Sequence, residues 1–201
     1  GEVYGEGGAT LDTPDGKAFT ETDSGYVNCA TQRACYPSSK RAAETLCIAY
    51  GAEYGADVVI ARPCHVFGPN FTESDNRVYA QFLRNVQRGE DIVMKSDGAQ
   101  FRSWCYVVDC VRALLYILLK GERGEVYNIA DEKSNVTIRQ LAEMIASIGG
   151  KKVVIKKPDN QESSGYNIVT KSIFSTAKLQ RLGWSVSGSM VEKLSHLASW
   201  L

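Results

Sequence analysis

Residues 35–62 read "CYPSSKRAAETLCIAYGAEYGADVVIAR", a helical pattern that runs straight into an apolar one. Leu46, Cys47 and Tyr50 recur at helical spacing, with Ala42 and Ala43 one turn earlier, which predicts a helix from about Pro37 to Tyr54. The "DVVIAR" that follows is a short continuous apolar run, the pattern of a strand buried on both faces of a parallel sheet. Helix followed by buried strand is the alternation of an α/β fold. The same stretch holds Tyr36 and Lys40 four positions apart, one turn along one helix face.

The rest of the chain extends that alternation. A turn-rich loop "GPNFTESDN" leads into an amphipathic helix "RVYAQFLRNVQRG" that Gly89 closes. "DIVM" and "FRSWCYVV" read as strands separated by Ser96, Asp97 and Gly98. Asp109 is placed to cap the helix "CVRALLYILLKG", and "EVYNIA" reads as another strand. Thr137 with Gln140 three residues on predicts a capping box for "IRQLAEMIASIGG". "KVVIKK" is a further strand, residues 158–167 are the most polar stretch, and two short helices finish the chain.

Composition excludes several function classes. With 23 basic and 23 acidic residues in 201, no net charge favours nucleic acid or an anionic membrane as partner. No apolar run approaches the length of a membrane span. The six cysteines (Cys29, Cys35, Cys47, Cys64, Cys105 and Cys110) show neither a C-x-x-C pair nor zinc-ligand spacing. They read as reduced thiols of a cytoplasmic protein without a metal site.

Tyr36 and Lys40 are a candidate catalytic pair, but "YILLK" places Tyr116 and Lys120 at the same spacing, so context decides. Tyr116 lies among apolar residues on nearly every side of its helix and reads as a core residue. Tyr36 stands at a helix start, because Pro37 fits the first helical position, and there the helix dipole favours a phenolate. Oxidising an alcohol needs a base for the hydroxyl proton. A tyrosine, with an unperturbed pKa of about 10, serves only when a nearby cation stabilises its anion. A lysine one turn away supplies that charge.

In order along nearly the whole chain, "YPSSK", "ARPCHVFGPN", "FRSWCYVVD", "GEVYNIADEKSNVTIRQLAEMI" and "LGW" resemble an extended short-chain dehydrogenase/reductase. The nearest relatives within it are the NAD-dependent nucleotide-sugar epimerases, dehydratases and decarboxylases. The resemblance implies that Tyr36 and Lys40 are the catalytic pair, Lys40 also holding a cofactor ribose. It sets Pro63 beside the nicotinamide ring of NAD and assigns Arg102 to the substrate diphosphate, a task suited to a planar guanidinium fork. Two positions after Pro63 the family usually has an asparagine on that diphosphate; this chain has His65. Dehydratase relatives carry an Asp-Glu pair before Val-Tyr-Gly, whereas here the pair is Gly1-Glu2. Glu2 therefore disfavours elimination and leaves epimerisation or decarboxylation open.

The resemblance further implies a chain missing the Gly-rich NAD-binding half. "GEGG" at residues 5–8 lacks a third glycine and a following helix and reads as a loop. The family's third catalytic residue, a Ser or Thr, falls one position before Gly1. The expected architecture is the C-terminal part of a doubly wound Rossmann-type α/β sheet over residues 1–68. A small mixed substrate lobe spans 69–201, with about 102–130 returning to the first domain. The expected activity is that of an NAD-dependent enzyme working on a nucleotide-diphosphate sugar through a 4-keto intermediate, the chain alone being inactive. A homodimer through the Tyr36/Lys40 helix is expected. The alternatives are a non-catalytic nucleotide-sugar-binding homologue and a reductase of a non-sugar carbonyl compound.

Overall fold

A computed structural model describes residues 1–156 and 170–199, so the polar stretch 158–167 lies outside the described residues. A 3-10 turn at Glu2–Tyr4 opens the chain, followed by the hairpin β1 (Leu11–Thr13) and β2 (Gly16–Ala18). A second 3-10 turn, Gln32–Ala34, runs into α1 (Cys35–Tyr54), and then come β3 (Ile60–Pro63) and β4 (His65–Phe67). α2 (Val78–Gln87), β5 (Ile92–Met94), β6 (Phe101–Tyr106) and α3 (Val107–Lys120) follow. The chain continues through β7 (Val126–Ile129), β8 (Asp131–Thr137), α4 (Ile138–Ile148) and β9 (Val153–Ile155). β10 (Lys171–Ser172), α5 (Ala177–Arg181) and α6 (Met190–Ser199) complete the described elements.

The pairing is mostly parallel. β3 runs parallel to β7, β5 to β9, and β6 to both β4 and β10, while β8 joins β6 antiparallel. Two apolar clusters support these sheets. In one, Leu83, Leu141, Ile145 and Leu194 from α2, α4 and α6 pack on Ile92 and Trp104. In the other, Tyr4 stacks on Phe19 at 4.5 Å and meets Phe174 edge-on, against Ala113, Ile117, Tyr127 and Ile129. The thiols of Cys64, Cys105 and Cys110 are buried in that second cluster, and burial pushes each of them up in pKa.

Several local expectations hold. Thr137 accepts from Gln140 N, and the Gln140 side chain accepts from Thr137 N, a complete capping box. Gly89 follows the last residues of α2 at φ 73°, a left-handed position that glycine adopts without a Cβ penalty. Residues 5–8 form a loop, and the next regular element is a strand. Gly5 there has φ 70°, and a Cβ on it would lie 2.5 Å from the Tyr26 carbonyl oxygen.

Others are corrected. "DVVIAR" forms a strand only from Ile60, and only Ile60 of β3 is buried, because among the described residues β3 has one neighbour, β7. α1 starts at Cys35 and not at Pro37, and its Leu46, Ile48, Tyr50 and Tyr54 are exposed while Pro37 and Gly51 are its buried residues. Asp109 does not cap α3, which starts at Val107. Its fully buried carboxylate instead accepts from Ser187 N and Oγ and pairs with Lys193 at 2.8 Å. Lys193, also buried, lies 3.6 Å from the Asp131 carboxylate, so one ammonium ties α6 to α3 and β8.

Removing that ammonium takes from two buried carboxylates the buried cation they share. Lys193→Met is expected to lower the unfolding free energy in urea by about 3 kcal/mol. Arg112→Met removes a half-exposed guanidinium from the same Asp109 and should cost less than about 1 kcal/mol. Equal losses would contradict the buried-pair account. Thr137→Ala should cost about 1 kcal/mol through the lost cap.

Candidate active site

The 3-10 turn at Gln32–Ala34 feeds directly into α1, so the helix begins two residues before Pro37. Pro37 remains in the first turn, where backbone N–H groups have no acceptor within the helix and none is lost. Tyr36 therefore sits on that first turn, a residue 55% exposed, and the Lys40 ammonium lies 5.5 Å from its ring centroid. Tyr116 and Lys120 share this geometry at 4.8 Å. Tyr116, however, is mid-helix and partly buried against the second cluster, and Lys120 donates to the Leu182 carbonyl. Spacing fixes cation over ring in both pairs; only Tyr36 combines it with a helix start and an open phenol.

A polar network holds α1 in place. The Arg62 guanidinium donates through Nε and Nη2 to the two carboxylate oxygens of Glu44 at 2.8 and 2.7 Å, and through Nη1 to the Glu21 carbonyl. It also lies 4.8 Å over the Tyr4 ring. Burial pulls the Arg62 pKa down, but the hydrogen bonds with Glu44 and Tyr4 outweigh it and the net shift is upward. Burial pushes the Tyr4 phenol up to about 12, and its hydroxyl donates to Asn128 Oδ1 at 2.6 Å. From α1, Arg41 donates to the carbonyls of Val3 and Gly25, each at 2.8 Å. Sequence reasoning missed this network. Its signals were present: Glu44 stands one turn beyond Lys40, and a charged Arg62 ends an apolar strand.

The remaining candidates meet at the carboxyl end of β3. Ile60 N donates to the Glu125 carbonyl just before β7 and Cys64 N to that of Ile129 in β7, so by alternation the Pro63 carbonyl points to the other edge, where the Gly1 amine reaches it at 3.3 Å. Glu2, exposed on the first 3-10 turn, lies close enough to Arg102 to favour its charge. Arg102 is 4% exposed on β6, a buried position, and burial lowers its pKa. His65 on β4 stands opposite Trp104 of β6, with ring centroids 5.3 Å apart. His65 is exposed, and the protein atoms crowded around its ring, then the Gly1 amine and Arg102, lower its pKa, against a hydrogen bond to the Ser103 backbone that favours the proton. The structure thus gathers Glu2, Pro63, His65 and Arg102 in one place and pairs Tyr36 with Lys40 in another. The 3-10 turn links them, with Glu2 facing Arg102 and Val3 holding Arg41 of α1.

Two cavities of about 610 Å3 lie elsewhere. One sits under the hairpin, lined by Asp15, Asn135, Phe174 and Trp184; the other lies behind α1, lined by Glu44, Ile48 and Arg62. Neither is lined by Tyr36, Lys40, His65 or Arg102. Glu2, Tyr36, Lys40, Pro63 and His65 are exposed, whereas Arg102 is buried on β6.

Comparison with known proteins places the chain in a family. The chain is 33% identical over 193 residues to UDP-glucuronic acid decarboxylase 6 of Arabidopsis thaliana, covering 96% of this chain and 53% of that protein. A UDP-glucose 4-epimerase from Thermotoga maritima, solved with UDP-glucose, superposes with TM-score 0.71 at 31% identity over 82% of this chain and 52% of the other. A dTDP-glucose 4,6-dehydratase from Streptomyces venezuelae, solved with NAD, gives TM-score 0.78 at 25% identity over 99% and 56%. These neighbours and the parallel sheets establish an α/β fold of the Rossmann type. The chain spans about half the length of the curated relatives it matches. The sequence pattern of one family matches residues 1–130, and the chain belongs to that NAD dependent epimerase/dehydratase family.

Proposed function

We propose that this chain works as part of an NAD-dependent enzyme that modifies a nucleotide-diphosphate sugar through a 4-keto intermediate. The observation that carries this reading is the Lys40 ammonium over the open Tyr36 ring, on the first turn of a helix bolted to β3. Tyr36 takes the proton of the sugar hydroxyl, and Lys40 stabilises the resulting phenolate. Bound NAD supplies the two-electron acceptor for the sugar carbon. The residues present fit one end of that cofactor: Lys40 offers donors to a ribose hydroxyl, and Pro63 is exposed at the carboxyl end of β3, where dinucleotides sit in open α/β sheets. Arg102 and His65 hold the substrate diphosphate, with Glu2 beside Arg102 as a general acid or base.

Glu2 without a preceding aspartate favours epimerisation or decarboxylation over elimination. The Arabidopsis decarboxylase supports one branch and the Thermotoga epimerase the other. We assign residues 1–68 to the trailing part of the cofactor domain and 69–201 mainly to the substrate lobe, with about 102–130 returning. The outward stripe of Leu46, Tyr50 and Tyr54 supports a homodimer through α1. No helix among the described residues is long and apolar enough to cross a membrane, and the six free thiols support a cytoplasmic setting.

In the enzyme carrying this chain, Tyr36→Phe should lower kcat by about 100-fold or more while nucleotide-sugar affinity changes only a few-fold. Tyr116→Phe should leave kcat within about twofold. Full turnover in the Tyr36 variant would contradict the assignment. Leu46→Glu with Tyr50→Glu should shift the light-scattering mass from dimer to monomer; an unchanged dimer would place the interface elsewhere.

A further inference from the structure

We propose that Cys29 and Cys35 are a peroxide-oxidised pair that closes a reversible disulfide across the entry to α1, one residue before Tyr36. The pair stands independently of the nucleotide-sugar reading; only its effect on turnover rests on that reading. Cys29, Cys35 and Cys47 are exposed, whereas Cys64, Cys105 and Cys110 are buried. Oxidation of a thiol needs access, so the exposed three are the candidates. Cys47 lies twelve residues beyond Cys35 on α1, roughly 18 Å along the helix axis, too far for a bridge between them.

Two consecutive turns fold back the chain between Cys29 and Cys35. Thr31 N donates to the Asn28 carbonyl at 3.3 Å, and Ala34 N donates to the Thr31 carbonyl at 3.1 Å. Asn28 Oδ1 accepts from Ala30 N, and Thr31 Oγ1 donates to the Asn28 carbonyl, so Cys29 sits in a braced turn. Its sulfur lies 3.6 Å from the Val27 carbonyl oxygen and 4.0 Å from Ser38 Oγ. Ser38 stands three residues after Cys35, and such positions are neighbours on a helix surface, with Cβ atoms about 5–6 Å apart. The Cys29 sulfur therefore lies over the helix turn that begins at Cys35. Closing the bridge takes rotation of the two side chains and an adjustment of the 3-10 turn Gln32–Ala34 between them.

Hydrogen peroxide is the oxidant. One thiol takes an oxygen atom from peroxide, giving a sulfenic acid and water; the second thiol attacks that sulfur, forming the S–S bond and releasing a second water. The two thiols give up two electrons and two protons, and peroxide is reduced to water. The buried thiols react poorly by comparison, because the apolar cluster shields them and burial withholds their thiolate forms. Once closed, the bridge ties the residue before Tyr36 to the preceding loop and shifts the turn on which the phenol stands.

Peptide mass mapping of this chain without reductant, before and after peroxide, tests the pair. Trypsin cuts after Arg33, between the two cysteines, so a bridge joins peptides that otherwise separate. The expected result is a linked Cys29–Cys35 peptide from a chain that runs as a monomer on a non-reducing gel. Dithiothreitol should release it, Cys29→Ser and Cys35→Ser should each abolish it, and Cys47→Ser should leave it. In the enzyme carrying this chain, peroxide should lower kcat by about tenfold or more, reversibly, while Cys29→Ser holds kcat within about twofold. No linked peptide, sulfinic acid at either cysteine without a bridge, or a bridge to another cysteine overturns the proposal. A Cys29–Cys35 bridge with unchanged turnover supports the modification site and overturns its control of Tyr36. An enzyme inactive before oxidation contradicts the nucleotide-sugar reading, and the peptide map still decides the pair.

Discussion

The Arg62–Glu44 ion pair is the constraint on which the candidate site depends. Its two parallel hydrogen bonds cross from β3 to α1, and its third donor reaches the loop at Glu21. Both side chains are largely sheltered, at 13% and 20% exposure, so water screens the pair weakly. α1 needs such a link, because its apolar stripe faces outward and contributes little burial against the sheet. A helix held by a bidentate fork has one register on the strand below, whereas apolar packing alone tolerates small slides. Lys40 and Tyr36 inherit that register one and two turns away, respectively.

From the same pair the network spreads to the second cluster of candidates. Arg62 lies over Tyr4, Tyr4 donates to Asn128, and Asn128 bonds the carbonyls of Phe19 and Ser175. The opening turn is thus fixed against β7 and the strand-like segment after β10, with Glu2 beside Arg102. One polar network thus connects the helix that carries Tyr36 and Lys40 with the opening turn beside Arg102.

Much of this was legible in the sequence where the signal is local. α1, the Thr137–Gln140 cap, Gly89 after α2 and the first-turn position of Tyr36 all follow from residues within a few positions of one another. What failed is what depends on neighbours far along the chain. β8, "DEKSNVT", has no apolar run of its own, and its pairing with β6 supplies the reason for it to be extended. The β1–β2 hairpin, three residues a strand, has too short an alternation to stand out. Asp109 has the residue type and position of a cap, but Lys193 and Ser187, some eighty residues on, draw it inward. The α1 stripe has the right period, and period alone does not say which side is covered. Arg102 is legible as a phosphate ligand only through family likeness; its burial on β6 is a tertiary fact.

The most direct measurement is steady-state kinetics of Glu44→Gln in the enzyme carrying this chain. Glu44 bonds Arg62 of β3, so the variant loosens the link that sets the position of α1. The account predicts a fall in kcat of about tenfold or more, with KM for the nucleotide sugar little changed and the fold intact by circular dichroism. An unchanged kcat in a folded Glu44→Gln enzyme would contradict it, because α1 would then hold its catalytic register without the ion pair.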